Sequence, residues 1–104
     1  MIPFKPKKKF GQNFLINKNL SAKVASFINV KNCHSLIEIG PGLGSLTKEI
    51  INIDIDEKKF IEIDRDCVDY LQKSISGING NIINEDFLKI DLNSFKSPMV
   101  IVGN

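Results

Sequence analysis

Tryptophan is absent, histidine occurs once (His34), and the two cysteines, Cys33 and Cys67, stand far apart with no CxxC pair. A disulfide framework and a Cys/His zinc site are therefore excluded. No apolar run approaches the roughly 20 residues that cross a bilayer, and none has the form of a signal-peptide core. The sequence predicts a protein of the cytoplasm with no membrane span and no bound metal. Acidic residues are missing from positions 1–37, which carry seven lysines. Residues 38–104 hold seven basic residues against twelve acidic ones, a balance of −5 that the net charge of +2 conceals. Such a split predicts an N-terminal part that meets a polyanion, and a body that holds a cation or simply needs solvating.

What is present is an ordinary globular balance, 42% hydrophobic and 25% charged, over the 104 residues of one small domain. Residues 1–12 combine two prolines, four lysines and a glycine without periodicity, which reads as an extended arm. From Asn17 onward Leu20, Val24, Phe27 and Ile28 fall on one helical face, with Asn17 or Asn19 as the N-cap. A short strand, 36–39, runs into Gly40-Pro41-Gly42-Leu43-Gly44, after which Leu43, Leu46 and Ile50 take helical spacing. Residues 51–56 alternate like a strand, but 60–64, following the charged turn 57–59, is the better candidate. A helix bearing Val68, Leu71 and Ile75 follows, capped by Asp64; 81–84 and 99–102 then read as third and fourth strands.

Helices alternating with apolar strands predict an α/β fold with a parallel, doubly wound sheet covered on both faces. Only four strands fit, against about six in a nucleotide-binding sheet of this kind. The chain also stops directly after a strand, so the expectation is the front half of a larger domain.

Glu38-Ile39-Gly40-Pro41-Gly42-Leu43-Gly44 is the strongest local signal. Glycines between a strand and a helix let backbone N–H groups approach a ligand. Glu62 lies 18 positions after Gly44, the offset at which a carboxylate meets ribose hydroxyls in nucleotide-binding folds. A tight turn that needs glycine, beside a surface glutamate, is the plainer alternative. The dinucleotide pattern GxGxxG would require glycine at position 45, which is Ser45. With Glu38, Glu62, Asp64 and Asp86 at strand ends, a cationic nucleoside suits the charge better than a pyrophosphate, so S-adenosylmethionine is preferred to NAD. Asp86 either accepts from an adenine amine or caps a turn; Phe87 either covers the adenine or belongs to the core. Lys7, Lys8, Lys9 and Phe10 open a basic stretch with interleaved aromatics, which serves as a nucleic-acid contact or as a solvated tail.

The run Lys8-Lys9-Phe10-Gly11-Gln12-Asn13-Phe14-Leu15, the glycine loop through Thr47, Ile61-Glu62-Ile63-Asp64-Arg65-Asp66 and Val102-Gly103-Asn104 occur in one order. Together they resemble the ribosomal RNA adenine dimethyltransferases, and the first element favours the enzymes of the small subunit. The resemblance implies a Rossmann-like S-adenosylmethionine-dependent methyltransferase fold, of which this chain is the N-terminal part. Residues 1–16 form a basic arm, and 17–104 form the first half of the cofactor-binding domain, cut after the fourth strand. It implies that Asn13 and Leu15 close over the methionine part of the cofactor, that Gly40 passes beside it, that Glu62 holds the ribose and that Asp86 reaches the adenine. Asn104 opens the catalytic loop and contacts the cofactor, and Lys7, Lys8, Lys9 and Phe10 meet RNA. The partner implied is small-subunit ribosomal RNA or the small ribosomal subunit, the full-length protein being a monomer and the 104-residue chain alone inactive. The alternative is a non-catalytic RNA- or ribosome-binding fragment. The region between Thr47 and Phe60 fits the resemblance poorly.

Overall fold

The computed structural model describes residues 18–103, and the elements follow from local chemistry. They are α1 (Lys18–Ser26), β1 (Ser35–Ile39), α2 (Ser45–Ile50), β2 (Glu57–Glu62), α3 (Arg65–Ser74), β3 (Ile82–Asn84) and β4 (Met99–Val102). Two single-turn 3-10 helices, Phe87–Lys89 and Leu92–Ser94, lie between β3 and β4. The four strands form one sheet in the order β3-β2-β1-β4, all parallel. β1 is central, with Ile39 opposite Ile61 and Glu38 opposite Val102, so the loops after every strand gather at one edge.

Alternation along the strands sends side chains to two cores. Leu36 and Phe60 point to one face, where they pack with Leu46 and Ile50 of α2, Leu71 of α3, and Ile75 and Ile78 beyond it. Ile37 and Ile61 point to the other, against Phe95 and the half-buried Phe87, Ile90 and Met99. The second face is thus covered by the 3-10 segment rather than by an α-helix. The start of α3 agrees with expectation: the Asp64 side chain accepts from the Asp66 N–H at 2.9 Å. Such a cap contributes about 1 kcal/mol.

Two local expectations are corrected, and the preference against a strand at 51–56 holds. The buried side of α1 is Ser21, Val24 and Ala25, continued by Ile28, while Leu20 and Phe27 are exposed. The helix ends at Ser26, so Phe27 leaves the helical face, and the stripe lies one position round from the apolar pattern. Residues 57–59 are not a turn but the first half of β2, paired with Ser35, Leu36 and Ile37. Their charges have partners there: Glu57 accepts from Ser35 Oγ and the Lys96 N–H, and Lys58 Nζ donates to the Ile51 and Ile53 carbonyls. The alternating stretch 51–56 forms no strand, yet its alternation is real, since Ile51, Ile53 and Ile55 pack on the first core.

Gly44 joins loop to helix at φ 88°, and a Cβ there would stand 2.6 Å from Ile75 Cδ1 and 2.9 Å from Leu71 Cδ2. A left-handed backbone and an overfilled core act together at this position. Gly44→Ala should therefore destabilise the protein by about 2–4 kcal/mol, read as a lower midpoint in urea unfolding; an unchanged midpoint would show that α3 yields freely.

Candidate functional site

The carboxyl edge of a parallel sheet is where open α/β folds hold ligands, and here that edge is organised by one side chain. Glu62, the last residue of β2, has no exposed surface. Its Oε1 accepts from the Gly42 N–H at 2.8 Å and its Oε2 from the Asp64 N–H at 2.9 Å. A single carboxylate therefore ties the glycine loop after β1 to the turn after β2. Hydrogen bonds to a charged acceptor of this kind contribute about 1.5–3 kcal/mol each. Gly42 meets the carboxylate from φ 60°, a backbone that side-chain-bearing residues rarely adopt. Gly40 extends the ladder by donating its N–H to the Ile61 carbonyl at 2.9 Å.

Asn84, ending β3, donates its side-chain amide to the carbonyls of Glu62 at 2.9 Å and Ile63 at 3.2 Å. This ties the next loop to the same point. Asp86 follows, half-buried, its Oδ1 accepting from the Leu88 N–H at 2.9 Å and its own N–H donating to Glu85 Oε1 at 2.7 Å. Gly40, Glu62, Glu85, Asp86 and Phe87 line one open cleft of about 170 Å³, smaller than a typical enclosed small-molecule site. Its described lining contains three carboxylates and no basic side chain.

The structure shows the plainer alternative for each of Asp86 and Phe87, and places both at the cleft. Asp86 caps a 3-10 turn and lines the cleft; Phe87 packs on the second core and lines the cleft. Gly40, Glu62 and Asp86 are brought together. Asn13, Leu15, Lys7, Lys8, Lys9, Phe10 and Asn104 lie outside the described residues.

Two residues of the site escaped the sequence reading. Asn84 carried only the signal of an amide at a strand end. Thr47 donates its hydroxyl to Glu38 Oε1 at 2.6 Å, and both residues are buried. Its signal was a hydroxyl nine positions after an acid, on the inner face of the helix that the glycine loop opens. Burial pushes the Glu38 carboxyl up to about 7; the Thr47 bond lowers it in part, and the neighbouring Glu62 charge raises it further. Among the described residues no group of three or more His, Cys, Asp or Glu side chains could hold a metal, and no helix is long and apolar enough to cross a membrane.

The family model for ribosomal RNA adenine dimethylase matches residues 3–104. A ribosomal RNA small subunit methyltransferase A from Nitrosomonas europaea is 43% identical over 99 residues, covering 95% of this chain and 38% of the relative. Its namesake from Hydrogenobaculum sp. is 41% identical over 100 residues, covering 96% and 38%. That from Buchnera aphidicola reaches 54% over 68 residues, covering 65% and 24%. This chain thus spans well under half the length of these relatives. Among solved structures, a Pyrococcus horikoshii protein assigned as an RNA methyltransferase superposes with a TM-score of 0.58 at 18% identity. It covers 76% of this chain and 42% of its own, and shows the fold.

An acid whose folded pKa is raised binds more protons folded than unfolded, so its stability contribution is complete below the ordinary pKa and lost as pH climbs. For Glu38 the window runs from 4.5 to about 7. Across it the protein should lose about 3 kcal/mol that Glu38→Gln retains. Urea unfolding at pH 5 and pH 8 should show the variant more stable only at the higher pH; a wild-type-like profile would place the titration elsewhere.

Proposed function

The chain belongs to the ribosomal RNA adenine dimethylase family, and from that membership we propose that it binds S-adenosylmethionine in the cleft at the carboxyl edge of the sheet. The methyl acceptor is the exocyclic amine of adenines in small-subunit ribosomal RNA, in the cytoplasm. The observation that carries the cofactor reading is the cleft's described lining: three carboxylates, no basic side chain and the backbone of Gly40. A pyrophosphate would meet only like charge there. A nucleoside with hydroxyls, an adenine amine and a positive sulfonium meets acceptors instead.

In this reading Glu62 holds the ribose hydroxyls, Asp86 accepts from the adenine amine, Phe87 covers the base and the Gly40 backbone passes beside the methionine part. Glu62 performs two tasks, since the same carboxylate holds Gly42 and Asp64. Bound S-adenosylmethionine supplies an electrophilic methyl group on a sulfonium. The accepting amine is a poor nucleophile because its lone pair delocalises into the ring. The Asn104 side-chain oxygen, accepting a hydrogen bond from the amine, favours a pyramidal nitrogen, so the protein contributes orientation and electrostatics without a covalent intermediate. The target base must leave its stack to be reached. Asn13 and Leu15 close over the methionine part of the cofactor, and Lys7, Lys8, Lys9 and Phe10 meet the RNA backbone and bases. Relatives carrying the name of small-subunit methyltransferase support this choice of RNA.

Glu62→Ala should weaken S-adenosylmethionine binding by at least about tenfold, measured by titration calorimetry; unchanged affinity would remove Glu62 from the site. Replacing Lys7, Lys8 and Lys9 together by alanine should make the log–log salt dependence of RNA binding shallower by up to about three units. An unaltered slope would return the arm to a solvated tail.

A further inference from the structure

One of the three carboxylates that line the cleft has no task in the reading above. Glu85 follows β3 directly, is exposed, and borders the cleft beside Asp86. Its backbone is tied to the neighbouring strand, its N–H donating to the Glu62 carbonyl at 3.2 Å. Its side chain turns back on its own chain, where Oε1 accepts from the Asp86 N–H at 2.7 Å.

Asp86 is held in the same manner, with Oδ1 on the Leu88 N–H at 2.9 Å. Each carboxylate thus gives one oxygen to a backbone amide, and among the described residues its second oxygen takes no hydrogen bond. Both belong to one short stretch of rim, because the Asp86 backbone anchors Glu85 and carries the other acid. Ile39, Ile61, Ile63 and Phe87 supply the apolar part of the lining, and no described side chain there is a donor. Apolar surface suits the faces of a flat ring. An acceptor-only rim suits a ring substituent that carries hydrogens.

Resting on the cofactor reading, we propose that Glu85 is a specificity-determining residue that accepts the second hydrogen of the adenine 6-amino group, Asp86 accepting the first. A primary amine on a purine offers two hydrogens in the plane of the ring, and one oxygen from each acid satisfies both. A 6-oxo purine presents an oxygen at that position, which meets acceptors only and is rejected. The bond to the Asp86 N–H prepares Glu85 for this task. An unheld glutamate loses rotamer freedom when it grips a ligand, whereas here one oxygen is already fixed. The same bond dictates how a glutamine would sit. Its carbonyl oxygen must stay on the Asp86 N–H, so its NH2 group faces position 6, opposing the amine hydrogens and donating to an oxo group.

The test is calorimetric titration of the protein with S-adenosylhomocysteine and with S-inosylhomocysteine, which carry an amino and an oxo group at position 6. The wild type should prefer the amino ligand by at least about a hundredfold, two hydrogen bonds to charged acceptors being at stake. Glu85→Gln should shrink that ratio by at least about tenfold, and Glu85→Ala should shrink it as well. The ratio compares two ligands on one protein, so a merely structural role, felt by both alike, leaves it unmoved. Should Glu85→Gln fail to fold by circular dichroism, the wild-type ratio and Glu85→Ala decide. A wild type that binds both ligands equally, or a folded Glu85 variant that keeps the wild-type ratio, overturns the role of Glu85 and leaves the cofactor reading standing. Absence of binding by either ligand to the wild type overturns both.

Discussion

A carboxylate with no access to water must find donors, and at the end of β2 the donors within reach of Glu62 include backbone amides from two different loops. Its bonds to Gly42 and Asp64 make the path of the glycine loop depend on the end of the neighbouring strand. The consequences run outward from there. Gly42 takes a positive φ to aim its N–H, Gly44 turns the chain into α2, and Asp64 is left in place to cap α3. Asn84 adds β3 by holding the Glu62 and Ile63 carbonyls. The cleft is the space that these tied loops enclose, preorganised before any ligand enters.

The same arrangement concentrates acid where the fold has least use for it. Glu38 and Glu62 share one sheet face on adjacent strands, both enclosed. At Glu38 a neutral group of the same shape would remove the cost of burial, whereas the Glu62 charge is held by two backbone amides. That cost falls on the strand beside Glu62, which itself lines the cleft. The excess of acid in residues 38–104 therefore has two components: exposed and half-exposed residues, Glu85 and Asp86 at the cleft among them, and a buried few, Glu38, Glu62 and Asp64, near the ends of β1 and β2.

Family membership and geometry bear on different parts of the function. The match to ribosomal RNA adenine dimethylase covers residues 3–104 and gives the family. The described residues bear on the proposed cofactor site, while the expected RNA contacts and the expected catalytic Asn104 fall outside them. Because the chain spans about 38% of the length of relatives such as that from Nitrosomonas europaea, the methyl transfer itself is proposed rather than read from the fold.

Short-range pattern made the strand–loop–helix units legible: a glycine run after an apolar tetrapeptide, an aspartate before a helical stripe, and Glu62 at a fixed distance from Gly44. These depend on backbone preferences and spacing that hold wherever the segment lies. The exposure of Leu20 and Phe27 was not legible, because which side of α1 is buried depends on where α2 meets it. Nor was the strand character of Glu57 and Lys58, whose charges are accommodated by Ser35, Lys96 and the carbonyls of a passing segment. The pairing of Glu38 with Thr47 and the reach of Asn84 to Glu62 join residues 9 and 22 positions apart. Composition and periodicity thus settled the α/β class, the glycine loop and the acids that follow it. Parallel register and helix docking decided which of those acids meet, because only in the folded sheet do the ends of β1, β2 and β3 come level at one edge.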